Sequence, residues 1–416
     1  MILIGRTNFR RQIQISKIRL QSSSINDQLY SMTLVYFDHN ATTRVDDAVL
    51  DAMLPYFQQE FGNASSRHSY GITARRAIDK ARKQVADVVG VQPVQVIFTS
   101  GGSEANNLFI RGAADSLKPG NLFISAIEHP CVLKPAQALA RRNGDAWVVH
   151  QLVVNPSGQV DWDAAGNAMR EHKPGLVSVM LVNNETGVIQ DVAGIAELAR
   201  AQGGIVHTDA IQGLGKIPVD FAALKVHAMT LSAHKIYGPK GAAALIVDKR
   251  LLLKPLIYGG GHESGLRSGT ENVPAIVGFG VACELARSRL AETAQPISQL
   301  RDQLEQGLVA MGAVIFGAEA ARIPNTCYFA LPDIEGDTLV VKLDRAGFAV
   351  AAGAACSSVN PGQSHVLSAM QVDPMLARCA VRISLGSRNT REQVEDFLRA
   401  IQRIVEELRQ ISSLSS

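Results

Sequence analysis

Three side chains, far apart in the chain, have the chemistry of covalent catalysis. Lys235 lies in Leu231-Ser-Ala-His-Lys-Ile-Tyr-Gly-Pro-Lys-Gly, between an apolar run that ends at Leu231 and a second one from Ala242 to Val247. A lysine at the end of a strand facing a cleft is partly desolvated, and its amine can then attack a carbonyl carbon and form an imine. Upstream, Val206-His-Thr-Asp-Ala-Ile-Gln puts the carboxylate of Asp209 at another strand end, where it can hold a cationic nitrogen. Downstream, Cys356 stands among small residues just before Ser357-Ser-Val-Asn-Pro-Gly. A polar loop with Pro and Gly favours access, which a thiol needs before its sulfur can react. Lys240 is the competing amine, but it follows Gly238-Pro239 and lacks the Ser-x-His lead.

These groups need a frame that brings strand ends together. β-rich runs at 94–98, 121–125, 147–154, 176–182 and 205–208 alternate with helical patterns at 71–89, 162–171 and 192–202. Such alternation predicts right-handed βαβ crossovers and a mainly parallel sheet, an α/β fold. Ligands on sheets of this kind sit at the carboxyl ends of the strands. Thr99-Ser-Gly-Gly-Ser is a glycine-rich strand-to-helix turn, a common tight turn that can also present backbone amides to an anion. Residues 46–57 read as a further helix, and from Pro274 onward the pattern is of long helices. Thr390-Arg-Glu-Gln has the form of a capping box, and Val394, Phe397, Leu398, Ile401, Ile404, Val405 and Leu408 make one apolar face behind it.

Composition narrows the function classes. A chain of 416 residues, 46% hydrophobic with 35 glycines, reads as an ordinary α/β enzyme and can bury a substantial core. Its apolar runs stop short of the roughly 18 residues that span a bilayer. The net charge of +3 is concentrated in residues 1–31, where five basic residues face Asp27 alone, so the remainder offers no basic field for nucleic acid. Five cysteines, an odd number without metal-type spacing, speak against a disulfide framework. Cys131, Cys283, Cys327 and Cys379 read as packed hydrophobes. The basic extension 1–31 is expected to be disordered. It reads either as a mitochondrial transit peptide or as sequence ahead of a start at Met32, and the latter goes with a cytoplasmic protein.

Ser232-Ala-His-Lys-Ile-Tyr-Gly-Pro-Lys-Gly, with His207-Thr-Asp-Ala and Gln212 before it, resembles the class V group of pyridoxal phosphate enzymes, specifically cysteine desulfurases of the NifS and IscS type. The likeness runs from about Val35 to the C-terminus. It implies a fold-type I enzyme with a large cofactor-binding domain over 49–292 and a smaller α+β domain from 32–48 and 293–416 that carries the cysteine loop. It also implies a homodimer whose substrate is L-cysteine, and a sulfur-acceptor protein such as an iron-sulfur scaffold. No metal, nucleic acid or membrane is implied.

Residue by residue, the resemblance makes Lys235 the attachment amine and Asp209 the partner of the pyridine nitrogen. His129, in Glu128-His-Pro, would stack on the ring and assist proton transfer. Gly102, Ser103, Ser232 and His234 would reach the phosphate, joined by Thr270 acting on the partner subunit's cofactor. Gln212 would bond the phenolic oxygen, Asn184 would contact cofactor and substrate, and Arg382 would clamp the substrate carboxylate. Cys356 would accept sulfur as a persulfide. The chain departs from the usual pattern at Ala64, at Ser264 where most relatives have Arg, and at Ala351 and Ala354, where two hydroxyls near the nucleophile are lost. Two other readings stay open: a class V aminotransferase or selenocysteine lyase using the same cofactor residues, and a non-catalytic sulfur-delivery scaffold that would need no Lys235.

Overall fold

The apolar runs pair into sheets. A computed structural model describes residues 34–142, 147–352 and 364–415. In chain order its strands are β1 (Val35–Tyr36), β2 (Val96–Thr99), β3 (Asn121–Ser125), β4 (Val148–Leu152), β5 (Pro174–Ser178), β6 (Ile205–Asp209), β7 (Ala228–Ser232), β8 (Ala243–Val247), β9 (Val314–Ile315), β10 (Thr326–Ala330), β11 (Phe348–Ala349), β12 (Ala351–Ala352) and β13 (Ala380–Ser384). The extension 1–31 lies outside the described residues. Val35–Ser416 form one compact unit.

Strands β2 to β8 make a seven-stranded sheet in the order β2-β8-β7-β6-β5-β3-β4. The pairs from β7 across to β4 are all parallel, and β8 runs against both of its neighbours. Strands β7 and β8 are buried along their whole length, as they must be when helices cover both faces. On one face the helices Ser69–Val88 and Val273–Ala310 pack through Ile78, Ala81, Phe279 and Ala282. They approach so closely that a Cβ on Gly280 would meet Ala81 Cα at 2.7 Å, so only glycine fits there. On the other face Gly102–Ala114 and Pro130–Ala140 cover the sheet with Leu108, Phe109, Val132 and Leu139.

A second, antiparallel sheet has the order β12-β13-β10-β9, and β1 pairs with β11 in parallel. Its core gathers Phe37, Phe329, Ile383, Phe397 and Ile401. The terminal helix Arg391–Ser415 starts on the anticipated capping box: Gln393 N donates to Thr390 Oγ1 at 3.3 Å, and Thr390 N donates to Gln393 Oε1 at 3.2 Å. Val394, Phe397, Ile401, Ile404 and Val405 are buried on its inner face, with Leu398 and Leu408 partly covered.

Some boundaries differ from the sequence reading. The helix expected at 46–57 is two, Asp47–Met53 and Pro55–Gln58, because Pro55 has no N–H with which to continue the first. The run 176–182 is strand only to Ser178; Val179 to Val182 are apolar because they are buried. The long helix runs unbroken from Val273 to Ala310, with Pro296 inside it. Its first half packs Phe279 and Ala282 on the large sheet, while Leu304 and Leu308 join the second core. Among the described residues no helix is long and apolar enough to cross a membrane.

Candidate functional site

The large sheet delivers its side chains at the carboxyl ends of parallel strands. After β7 the chain makes one 3-10 turn, Ala233–Lys235, that swings Lys235 inward. The lysine Nζ donates to the backbone oxygens of Asn40 and, at 2.7 Å, Ala41. Asp209 closes β6; its Oδ2 accepts from Asn106 Nδ2 at 2.7 Å and its Oδ1 from Ile211 N at 3.0 Å. Burial raises its carboxyl pKa, opposed by these hydrogen bonds and by Lys235. His129 caps the helix Pro130–Ala140 beyond β3, and burial, with Lys235 and His365 nearby, lowers its pKa to about 4, leaving a neutral imidazole at neutral pH.

The glycine-rich turn after β2 opens the helix Gly102–Ala114. The amides of a helix's first turn have no intrahelical acceptor and suit an anion. At Gly102 an added Cβ would collide with the Ile211 side chain, so the small residue keeps the turn open. Ser232 Oγ is buried without a hydrogen-bond partner among the described residues. His234 meets Thr42 Oγ1 at 3.3 Å through Nδ1, and burial with the neighbouring lysines lowers its pKa to about 4.

The opposite wall comes from the second sheet and the start of the chain. Arg382 on β13 donates from one terminal nitrogen to Asp38 Oδ1 at 2.8 Å and from the other to Asn184 O at 3.0 Å. Its Nε is buried and lacks a partner among the described residues. Gln212 Nε2 donates to Asn40 O at 2.9 Å.

Gly102, Ser103, His129, Asn184, Asp209, Gln212, His234, Lys235 and Arg382 thus line one cleft of about 320 Å³, a volume within the usual range for small-molecule sites of about 300–1,000 Å³. Ser232 sits just behind it, buried. Thr270 is exposed and does not line the cleft. Cys356 lies outside the described residues.

One reading is corrected: Cys131 is not core packing but lines the cleft. Its Sγ is 2.9 Å from His129 Nδ1 and 3.0 Å from Asn106 Nδ2. Burial, helped by the Asp209 charge, pushes its thiol up to about 12, so it stays protonated. Sequence reasoning also gave no individual role to Asn40 or Asn106. Asn106 is polar on the apolar face of its helix, flanked by Ala105 and buried with Phe109, and that mismatch was a usable signal. Asn40 leaves no such trace, because all of its partners are distant in sequence.

Chemically, the cleft offers a tethering amine, a buried carboxylate able to hold a cationic nitrogen, a neutral imidazole and a guanidinium. Its helix N-terminus and the spare Ser232 hydroxyl suit a phosphate, while Val182, Met180 and Ile211 supply apolar walls for a flat ring. The donor set therefore fits pyridoxal phosphate.

Comparisons with known proteins agree on one family. The family model described as aminotransferase class-V matches residues 35–397. A cysteine desulfurase of Gluconacetobacter diazotrophicus is 40% identical over 385 residues, covering 92% of this chain and 96% of that protein. Among solved structures, a NifS-like protein superposes with a TM-score of 0.84 at 38% identity, over 90% of this chain and 100% of the other. A structure described as SspA in complex with cysteine gives a TM-score of 0.75 at 32% identity, over 85% and 99%.

Proposed function

The chain belongs to the class-V aminotransferase family, and from that premise we propose how its cleft works as that of a cysteine desulfurase, converting L-cysteine to L-alanine and transferring the sulfur to Cys356. The observation that carries the reading is the meeting of Lys235, Asp209, His129 and Arg382 from two sheets in one cleft. Pyridoxal phosphate, when bound, supplies an aldehyde for attachment and an electron sink that weakens bonds at the substrate α-carbon.

Each residue then has a task. Asp209 holds a proton at the ring nitrogen, and Asn106 fixes the carboxylate in place. Gly102, Ser103, Ser232 and His234 hold the phosphate, with Thr270 serving the cleft of a second subunit. Arg382 binds the substrate carboxylate through its spare Nε–H, and Asn184 and Gln212 orient ligand oxygens. Lys235 moves the proton from the substrate α-carbon, and the neutral imidazole of His129 lies against the ring and assists. The Cys356 thiolate attacks the substrate sulfur: its S–S bond forms as the Cβ–S bond breaks, and protonation of the carbon fragment gives alanine. Cysteine and the free thiol thus become alanine and one persulfide, with no external oxidant.

The proposal includes a large domain over 49–292 and a smaller one over 32–48 and 293–416, supported by their separate cores. It also includes a homodimer in the cytoplasm and an acceptor protein, such as an iron-sulfur scaffold, that takes the persulfide sulfur. The test is to supply L-cysteine and a reductant to the purified protein and measure alanine and sulfide. Equal amounts are expected, with Lys235→Ala and Cys356→Ser producing neither. Alanine formation that survives in Cys356→Ser would overturn the sulfur-transfer step.

A further inference from the structure

Behind the cleft lies a second, half-buried amine that these steps do not use. Lys216 follows Gln212 by four residues, and its Nζ donates to Gln212 Oε1 at 2.6 Å and to Asn40 Oδ1 at 2.9 Å. Both acceptors are neutral amides, so neither of these hydrogen bonds pairs the amine with a carboxylate. Burial, with Lys235 and Arg382 nearby, lowers its pKa well below the usual lysine range. Lys216 does not line the cleft. It lines a smaller cavity of about 70 Å³ on the other side, shared with Lys235, His39 and Asn325.

What Lys216 holds does reach the cleft. Asn40 O accepts from both Lys235 Nζ and Gln212 Nε2. With Oε1 turned to Lys216, the Gln212 amide has one orientation only: one Nε2 hydrogen goes to Asn40 O, and the second is left for a ligand oxygen. If Lys216 could not donate, Gln212 Oε1 would be left without its donor and only the bond to Asn40 O would oppose a flip that presents an acceptor instead.

We propose that Lys216 is a positioning residue for the desulfurase reaction, holding Gln212 with its second N–H toward the cleft. This rests on the cofactor reading above, since Gln212 needs a ligand oxygen to serve. The charged and titratable groups facing Lys216 are Lys235, Arg382 with its partner Asp38, His39, and the Asp46–Arg289 pair across the small cavity.

The test uses the full chain freed of pyridoxal phosphate. The Kd for pyridoxal phosphate is measured by equilibrium dialysis, and the pH midpoint of the visible absorbance change is measured after loading. Lys216→Met, Gln212→Leu, the double variant and Lys235→Ala are compared with the parent. A donor aimed at an anionic ligand oxygen favours its ionised form, so Lys216→Met is expected to raise the midpoint and weaken binding by about tenfold, the scale of one hydrogen bond. The double variant is expected to be no worse than Gln212→Leu alone, because Lys216 acts through that amide. Should Lys216→Met not fold, Lys216→Gln, shorter in reach, is read in the same way. A Lys216 variant with the parent's Kd and midpoint, or effects that simply add, overturns this proposal alone. Unaltered binding and absorbance in Lys235→Ala overturns the cleft reading and this proposal with it.

Discussion

Replacing Arg382 by glutamine tests how the cleft recognises its substrate. The guanidinium side chain is 5% exposed, and its two terminal nitrogens are committed to Asp38 and Asn184 O. The buried Nε–H is the donor left for an incoming carboxylate. A hydrogen bond to a charged group is worth about 1.5–3 kcal/mol. Taking about 2 kcal/mol, Arg382→Gln lowers kcat/KM for L-cysteine roughly 30-fold. The substrate carboxylate is bound before and during the reaction alike, so most of the loss falls on KM. A competing effect must be separated from this one, because Asp38 loses its partner. Its side chain is 20% exposed, so water can solvate it, and the stability cost is only about 1–2 kcal/mol. Initial rates of alanine formation over a range of cysteine concentrations, with a urea unfolding curve of the same sample, measure both. A folded variant whose kcat/KM stays within threefold of the parent refutes the assignment, as does a loss confined to kcat.

Glu128 gives a prediction in pH. Burial lifts its pKa from 4.5 to about 8, against the bonds its Oε1 accepts from Ser125 Oγ and Met180 N. A carboxyl whose folded pKa lies above its unfolded value contributes stability that is full below pH 4.5 and is lost as pH rises toward 8. Glu128→Gln, which keeps the accepting oxygen, should therefore gain about 3–5 kcal/mol relative to the parent between pH 5 and pH 8, at about 1.4 kcal/mol per pKa unit; parallel urea midpoints at the two pH values would contradict it. Gly280→Ala drives a methyl into Ala81 Cα and should cost about 1–3 kcal/mol by overpacking, seen as a lower urea midpoint; an unchanged midpoint means the two helices can part freely.

How far the sequence revealed this molecule depended on the range of each interaction. The strands were legible as β-rich runs because burial on both faces leaves a continuous apolar string, as in β7 and β8. Lys235 and Asp209 were legible because each lies within a few residues of a strand end, a local pattern, whereas His129 was picked out by the family resemblance alone. The same apolar logic overran β5, where Val179 to Val182 are buried without extending the strand. It also misjudged Cys131, since its surroundings in sequence do not say that His129 and Asn106 turn toward it. Asn40 was beyond reach for a stronger reason. Its side chain and backbone bond Asn184 O, Thr326 Oγ1 and Ser384 Oγ, all more than a hundred residues away. Pro296 would ordinarily suggest a helix end, yet the helix passes through it, because packing at Phe279 on one side and Leu304 on the other holds both halves in line.

The far wall of the cleft joins Asp38 and Asn40, from near the start of the described chain, to Arg382 and Ser384, close to its end. Synthesis proceeds from one terminus to the other, and all seven strands of the large sheet emerge well before β13 is made. A ribosome-bound chain can therefore carry the amine and the acid of the cleft before the strand that completes its far wall has been made. The residues that hold the cofactor are thus made first, and the guanidinium that grips an amino acid arrives only once translation is nearly over.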